Sequence, residues 1–210
     1  MSMPIPSIKR LCRIYELLTS LQQKKMVSIS SADIGMRIQV KAHTVRKDIN
    51  LLGEIGPSPL GYPVEELREL IRKRLHLNRQ NALCVVGLGA VGLTVLQYTD
   101  FLRETYPLLA GFDSNINRLE TINTNVPLYP FHAIADVVQA KNISLAILAT
   151  TKELAHEALE RLENGGVRGV INLTGALLNP NKENIWIKDI NIIEELRILS
   201  ACLTEGAQDR

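Results

Sequence analysis

The 210-residue chain predicts a two-part α/β architecture: an N-terminal winged helix-turn-helix, then a Rossmann-like doubly wound parallel sheet, closed by an amphipathic C-terminal helix. Three observations carry that expectation. Short helical patterns fill the first 75 residues and are broken by one Gly/Pro-rich stretch. From Ala82 onward, apolar strands without polar alternation alternate with helices, the signature of a parallel sheet covered on both faces. A G-x-G-x-x-G motif joins the first of those strands to its helix. Composition agrees, with 46% hydrophobic and 22% charged residues. That is an ordinary globular balance and excludes a disordered chain, a collagen-like chain and a disulfide scaffold. Aromatics make up 4%, so the core is expected to be aliphatic. No apolar run reaches the roughly 18 residues of a membrane span, and Met1–Arg10 lacks the apolar stretch of a signal peptide. Cys12, Cys84 and Cys202 are widely spaced with no CxxC, which argues against disulfides and a metal site and for a reducing cytoplasm.

In the first part, Ser7 is the expected N-cap of a helix. Its apolar positions Ile8, Leu11, Cys12, Tyr15, Leu18 and Leu21 recur at helical spacing, ending near Lys24–Lys25. Ser28–Ser30 reads as a short polar connection. Ser30 or Ser31 caps a second helix, about Ala32–Arg37, with Ile34 and Ile38 inward. A third spans about Ala42–Leu52, with Val45, Ile49 and Leu52 inward. Gly53–Pro63 is too rich in Gly and Pro for a helix, and short strands around a turn would make it a β-wing. Val64–Leu75 is helical again, and the domain boundary falls in the polar stretch after it. The expected division is residues 1–78, 79–189 and a C-terminal helix with tail over 190–210.

In a winged helix-turn-helix the third helix enters the major groove. Here Val45, Ile49 and Leu52 turn inward, so Lys41, His43, Thr44, Arg46 and Lys47 face out and are the expected contacts to double-stranded DNA. Their cations suit phosphates or guanine edges. Charge is distributed accordingly: residues 1–80 hold 14 Lys+Arg against 7 Asp+Glu, whereas residues 81–210 hold 10 against 15. A basic half of this kind fits a polyanion. A solvated helix face in a small interaction domain is the plainer alternative.

The second part is expected to run as strand Ala82–Val86, helix Val91–Glu104, strand Leu108–Phe112, helix Asn115–Asn123 and a short strand at Val126–Leu128. Helix Ile134–Lys141, strand Leu145–Ala149, helix Lys152–Asn164 and strand Gly169–Leu173 follow, with an edge strand at Ile185–Ile187. Helix Ile193–Leu203 and a loose tail from Thr204 complete it.

Gly87-Leu88-Gly89-Ala90-Val91-Gly92 follows a buried strand and opens a helix, and Asp113 stands 21 residues beyond Gly92 at the end of the next strand. Each position has a physical task in dinucleotide binding. Gly87 permits the turn, Gly89 lets a pyrophosphate approach the backbone, and Gly92 lets the helix pack on the strand. The helix start favours an anion. Asp113 can accept from ribose hydroxyls and would repel a 2′-phosphate, so NAD(H) is expected over NADP(H); Arg118 lies near, in the following helix. The alternative is a glycine turn that binds no nucleotide. Of the four histidines only His132 and His156 lie in this part, and after Asp113 the chain is just long enough to finish the sheet. No catalytic residue, and no enzyme, is expected.

The chain resembles the Rex family of bacterial redox-sensing transcriptional repressors across nearly its whole length. The resemblance rests on Thr44-Val45-Arg46-Lys47-Asp48, Gly61-Tyr62-Pro63-Val64-Glu65-Glu66-Leu67, the run Val86–Gly92, Gly111-Phe112-Asp113, and Glu195-Leu196 with Leu199-Ser200. It implies a homodimer built on the Rossmann-like domains, with a domain-swapped C-terminal helix at about Glu194–Leu203. It also implies operator DNA as the partner, NADH and NAD⁺ as sensed ligands, release from DNA when NADH binds, and no hydride transfer. Tyr98 occupies the position of a family tyrosine near the nicotinamide. Several positions depart from the family pattern. Lys41 replaces a Thr/Ser helix cap, Leu51-Leu52 an aromatic pair, and Pro57-Ser58-Pro59 a basic wing. Asn172-Leu173-Thr174-Gly175 stands for Asn-Phe-Ala-Pro, and Asn191 for an Asp that the family pattern pairs with an arginine of the first helix, here near Arg10 or Arg13.

Three other readings compete: a small NAD-dependent oxidoreductase, a winged-helix regulator sensing another adenine-containing ligand, and a scaffold on the same fold that binds no DNA.

Overall fold

In the computed structural model the chain divides into two compact units, Met1–Arg79 and Gln80–Arg210. The structure describes residues 3–53, 55, 61–97, 105–183 and 185–208, the last four of these by their backbone only. Tyr98, the wing residues Pro57-Ser58-Pro59 and the end of the expected helix Val91–Glu104 lie outside the described residues.

The first unit opens with α1 (Ile5–Gln23). It begins earlier than the expected Ser7 cap. Pro4 holds the cap position and Pro6 sits in the first turn, where a missing N–H is harmless. Ser7 is therefore buried inside the helix. Leu11, Ile14, Leu18 and Leu21 form the inner stripe of α1 and pack with Ile34 and Ile38 of α2 (Ser31–Ile38), Val45 and Ile49 of α3 (Ala42–Asn50), and Leu67 and Ile71 of α4 (Val64–Arg74). Full burial of each such side chain contributes roughly 1.5–3 kcal/mol. Ser30 caps α2, accepting from the Asp33 N–H at 3.0 Å. Gln39 then turns the chain in the left-handed region, φ +59°, and α3 begins three residues later.

Two features of this unit were not anticipated. Ser28–Ile29 (β1) pairs antiparallel with Tyr62–Pro63 (β2), so the stretch read as a polar connection is half of a small sheet. Arg10 of α1 forms a bidentate ion pair with Asp48 of α3, Nη2 to Oδ1 at 2.8 Å and Nε to Oδ2. Asp48 is 2% exposed, and the Ser7 hydroxyl accepts a further, longer bond from Arg10. Arg10, one of two arginines implied to pair with the position of Asn191, is engaged within its own unit.

The second unit is one six-stranded sheet. Its strands are β3 (Leu83–Val86), β4 (Leu108–Asp113), β5 (Leu128–Pro130), β6 (Leu145–Leu148), β7 (Gly169–Asn172) and β8 (Trp186–Asp189). All adjacent pairs are parallel, in the order β5-β4-β3-β6-β7-β8. Counted within the unit this is 3-2-1-4-5-6, the Rossmann order, with its switch point between β3 and β6. The helices are α5 (Ala90–Gln97 within the described residues), α6 (Ile116–Thr121), α7 (Ile134–Ala140, after a 3-10 turn at Phe131–Ala133), α8 (Lys152–Gly165) and α9 (Ile192–Gln208). β5 lies two residues later than expected, and α9 continues through the segment expected to be a loose tail. One aliphatic core centres on Val86, Phe112, Ile134, Leu148 and Leu159; a second, on the opposite sheet face, centres on Val85, Leu88, Leu96 and Val126.

α9 carries Ile193, Leu196, Leu199 and Leu203 at helical spacing, all between 53% and 77% exposed. On the sheet, Ile171 and Trp186 are exposed as well. No described helix is long and apolar enough to cross a membrane, and no described cluster of His, Cys, Asp or Glu could hold a metal ion.

Candidate dinucleotide site and recognition helix

The glycine loop leaves β3 at the switch point of the sheet. Gly87 has φ +92°, and a Cβ there would strike the backbone of Ala149 and Thr150 just beyond β6. Only glycine fits that turn and that approach. Gly92 sits over the loop, where a Cβ would collide with the Gly87 carbonyl. Gly89 differs: nothing lies within 4 Å of a Cβ built on it. That space leaves the backbone at Gly89 open to close approach. Ala90 and Val91 open α5 and are exposed, whereas the Leu88 side chain is buried in the second core. The first turn of a helix leaves N–H groups without intrahelical partners, which suits an anion.

Asp113 ends β4 beside this loop and is tied to it. Its Oδ2 accepts the Leu88 N–H at 2.7 Å, and Oδ1 accepts the Asn115 N–H at 2.8 Å. Arg118 Nη1 of α6 donates to Oδ2 at 2.9 Å. Both oxygens of Asp113 therefore already accept from backbone N–H groups, and Oδ2 also from Arg118, which α6 returns over the strand end; a carboxylate has about four lone-pair sites, so it can still accept from a ribose hydroxyl.

Beyond the loop, Val91, Lys152, Thr174, Gly175, Asn191 and Arg197 line a cleft of about 420 Å³. Gly175, at φ +71°, packs against the Lys152 side chain. Lys152 and Arg197 add positive charge where strand ends and the start of α5 converge. The sequence reading missed both, because they come from separate elements and match no motif. His156 is exposed on α8, and no described histidine stands in this cleft.

In the first unit, α3 exposes Lys41, His43, Arg46 and Lys47, with Thr44 half-buried, while Val45, Asp48 and Ile49 face inward. Arg46 Nη1 donates to the Ser31 hydroxyl at 3.0 Å, tethering an outward cation to the start of α2. Lys41 holds the N-cap position without a side-chain capping bond.

A family described as "Putative DNA-binding protein N-terminus" matches residues 2–50. A protein of Desulfitobacterium hafniense (strain DSM 10664 / DCB-2), "Redox-sensing transcriptional repressor Rex", is 28% identical over 95% of each chain. RSP, described as a Rex-family repressor, superposes with a TM-score of 0.87 at 25% identity, covering 99% of this chain and 98% of its own. The chain is thus similar to Rex repressors over 95% or more of its length. RSP in complex with β-NAD⁺ and operator DNA matches this chain with a TM-score of 0.88 at 25% identity, over 99% of this chain and 95% of that one.

Proposed function

We propose that this chain is a redox-sensing transcriptional repressor, a regulator rather than an enzyme. It binds double-stranded operator DNA as a homodimer and lets go when NADH binds, so that occupancy reports the NADH/NAD⁺ ratio. The observation that carries this reading is the end-to-end likeness to Rex proteins, which spans both the helix-turn-helix unit and the Rossmann sheet. RSP takes β-NAD⁺ together with operator DNA, and the same two ligands are assigned here.

Gly87, Leu88, Gly89, Ala90, Val91 and Gly92 form the pyrophosphate cradle in this proposal, with Asp113 at the ribose and Tyr98 toward the nicotinamide. Lys41, His43, Thr44, Arg46 and Lys47 meet the DNA. The dimer is supported by α9, whose apolar stripe is left exposed among the described residues. A second copy, receiving this helix by exchange, would bury it. NADH acts by population shift: it binds the DNA-incompetent dimer better than the competent one.

The test is a gel shift on a palindromic duplex titrated with NADH and, separately, with NAD⁺. Retarded DNA should be released by NADH and retained with NAD⁺. Salt-insensitive or absent binding to every duplex tried would remove the repressor reading.

A further inference from the structure

Two adjacent serines stand at the start of α2, and the structure gives them different roles. Ser30 is the cap: its Oγ accepts the Asp33 N–H at 3.0 Å and donates to Asp33 Oδ2 at 2.6 Å. Ser31 is therefore not needed to cap the helix. Its hydroxyl instead accepts from Arg46 Nη1 at 3.0 Å, across the turn between α2 and α3. Both ends of this contact stand on packed helices. Ile34 and Ile38 of α2 share a core with Val45 and Ile49 of α3. Gly35 brings α2 so close to the turn that a Cβ there would strike the Val40 carbonyl. The chemistry of the tether matters as well. Arg10, Arg72, Arg118 and Arg161 each meet a carboxylate, which offsets their charge locally. Arg46 has no carboxylate partner among the described ion pairs. A neutral hydroxyl holds its guanidinium and leaves the positive charge available to an anionic partner. With Nη1 directed at Ser31, the Nε–Nη2 edge remains, a planar fork of donors that matches guanine O6 and N7.

We propose that Ser31 is a positioning residue that fixes the direction of Arg46 for base recognition, and so helps to set the DNA sequence the chain prefers. The proposal rests on reading α3 as the recognition helix. An unheld arginine samples many rotamers, and ordering it on binding opposes affinity. The Ser31 hydroxyl orders Arg46 before DNA arrives, and most usefully where the contact depends on direction, at a base edge rather than a phosphate. Ser31 touches no base in this account; its effect passes through Arg46.

The experiment selects duplexes from a randomised DNA library with the full chain, then measures fluorescence anisotropy on the selected duplex and its single-base variants. The proteins are the unmodified chain, Ser31→Ala, Ser31→Thr, Arg46→Ala, and Ser31→Ala combined with Arg46→Ala. Ser31→Ala should lower discrimination by about threefold to tenfold at the base pair that Arg46→Ala also loses, and leave the other positions unchanged. Ser31→Thr keeps the hydroxyl and should restore it. Once Arg46 is alanine, Ser31→Ala should add nothing. The melting temperature of Ser31→Ala should match that of the unmodified chain, because Ser30 still caps α2. A loss in Ser31→Ala that is uniform across sequences, or that persists in full in the Arg46→Ala background, would overturn the proposal and mark Ser31 as a phosphate contact in its own right. Unchanged discrimination in Ser31→Ala would overturn it too. If the unmodified chain selects no duplex, the recognition-helix reading itself falls, and the proposal with it.

Discussion

Gly89 and Gly92, three and six residues beyond the end of β3, should separate binding from folding. Gly89 faces open space, so Gly89→Ala should leave the melting temperature unchanged and weaken NADH by about tenfold or more through the methyl group placed against the pyrophosphate. Gly92→Ala meets the Gly87 carbonyl, and overpacking of that kind costs about 1–3 kcal/mol. Thermal melts paired with NADH titrations distinguish the two; equal melting shifts would refute the distinction. Asp48 provides a second residue-scale test. Removing its partner leaves a buried carboxylate alone, so Arg10→Leu should destabilise the chain by about 3 kcal/mol in urea. Adding Asp48→Asn should recover much of that loss, and a double variant no better than the single would contradict the pairing. The glycine spacing and the position of Asp113 were legible because each obeys a local rule. The engagement of Asp113 was not. Arg118 returns to it through α6, and the pairing of Arg10 with Asp48 spans two helices, contacts that only tertiary packing creates.

At the scale of elements, the proposed function rests on what α3 and α9 leave exposed. Arg46 is aimed outward with Ser31 as a tether. Arg46→Ala should cost about 1–3 kcal/mol of DNA affinity at particular base pairs if its contact is bidentate to guanine. Fluorescence anisotropy on a set of single-site operator variants measures this, and a uniform loss across all variants would assign it to phosphate instead. For α9, Leu196→Glu with Leu199→Glu should turn the proposed dimer into monomers or aggregates by light scattering; an intact dimer would exclude this face from the interface. Long periodic elements were readable from the sequence, as α4, α8 and the strands β3, β6 and β7 show. The two-residue pairing of β1 with β2 was not, since so short a strand has no period to detect. The early start of α1 was hidden because Pro4 and Pro6 read as an extended lead, although proline is well tolerated in a first helical turn.

At the scale of the whole molecule, the order of the units makes the proposal. A basic helix-turn-helix unit alone, or a glycine-loop sheet alone, leaves several functions open; one chain holding both has the parts of a ligand-controlled DNA binder. Control requires that the two ligands be coupled, and coupling is reciprocal: NADH must lower the affinity for operator by the same factor by which operator lowers the affinity for NADH. The most direct measurement is therefore the NADH dissociation constant of the full chain with and without saturating operator duplex, alongside the operator affinity with and without saturating NADH. The expected result is a matching loss of about tenfold or more on both sides, equivalent to a coupling of about 1.4 kcal/mol or more. Tight binding of both ligands with neither affinity altered by the other would contradict a redox switch.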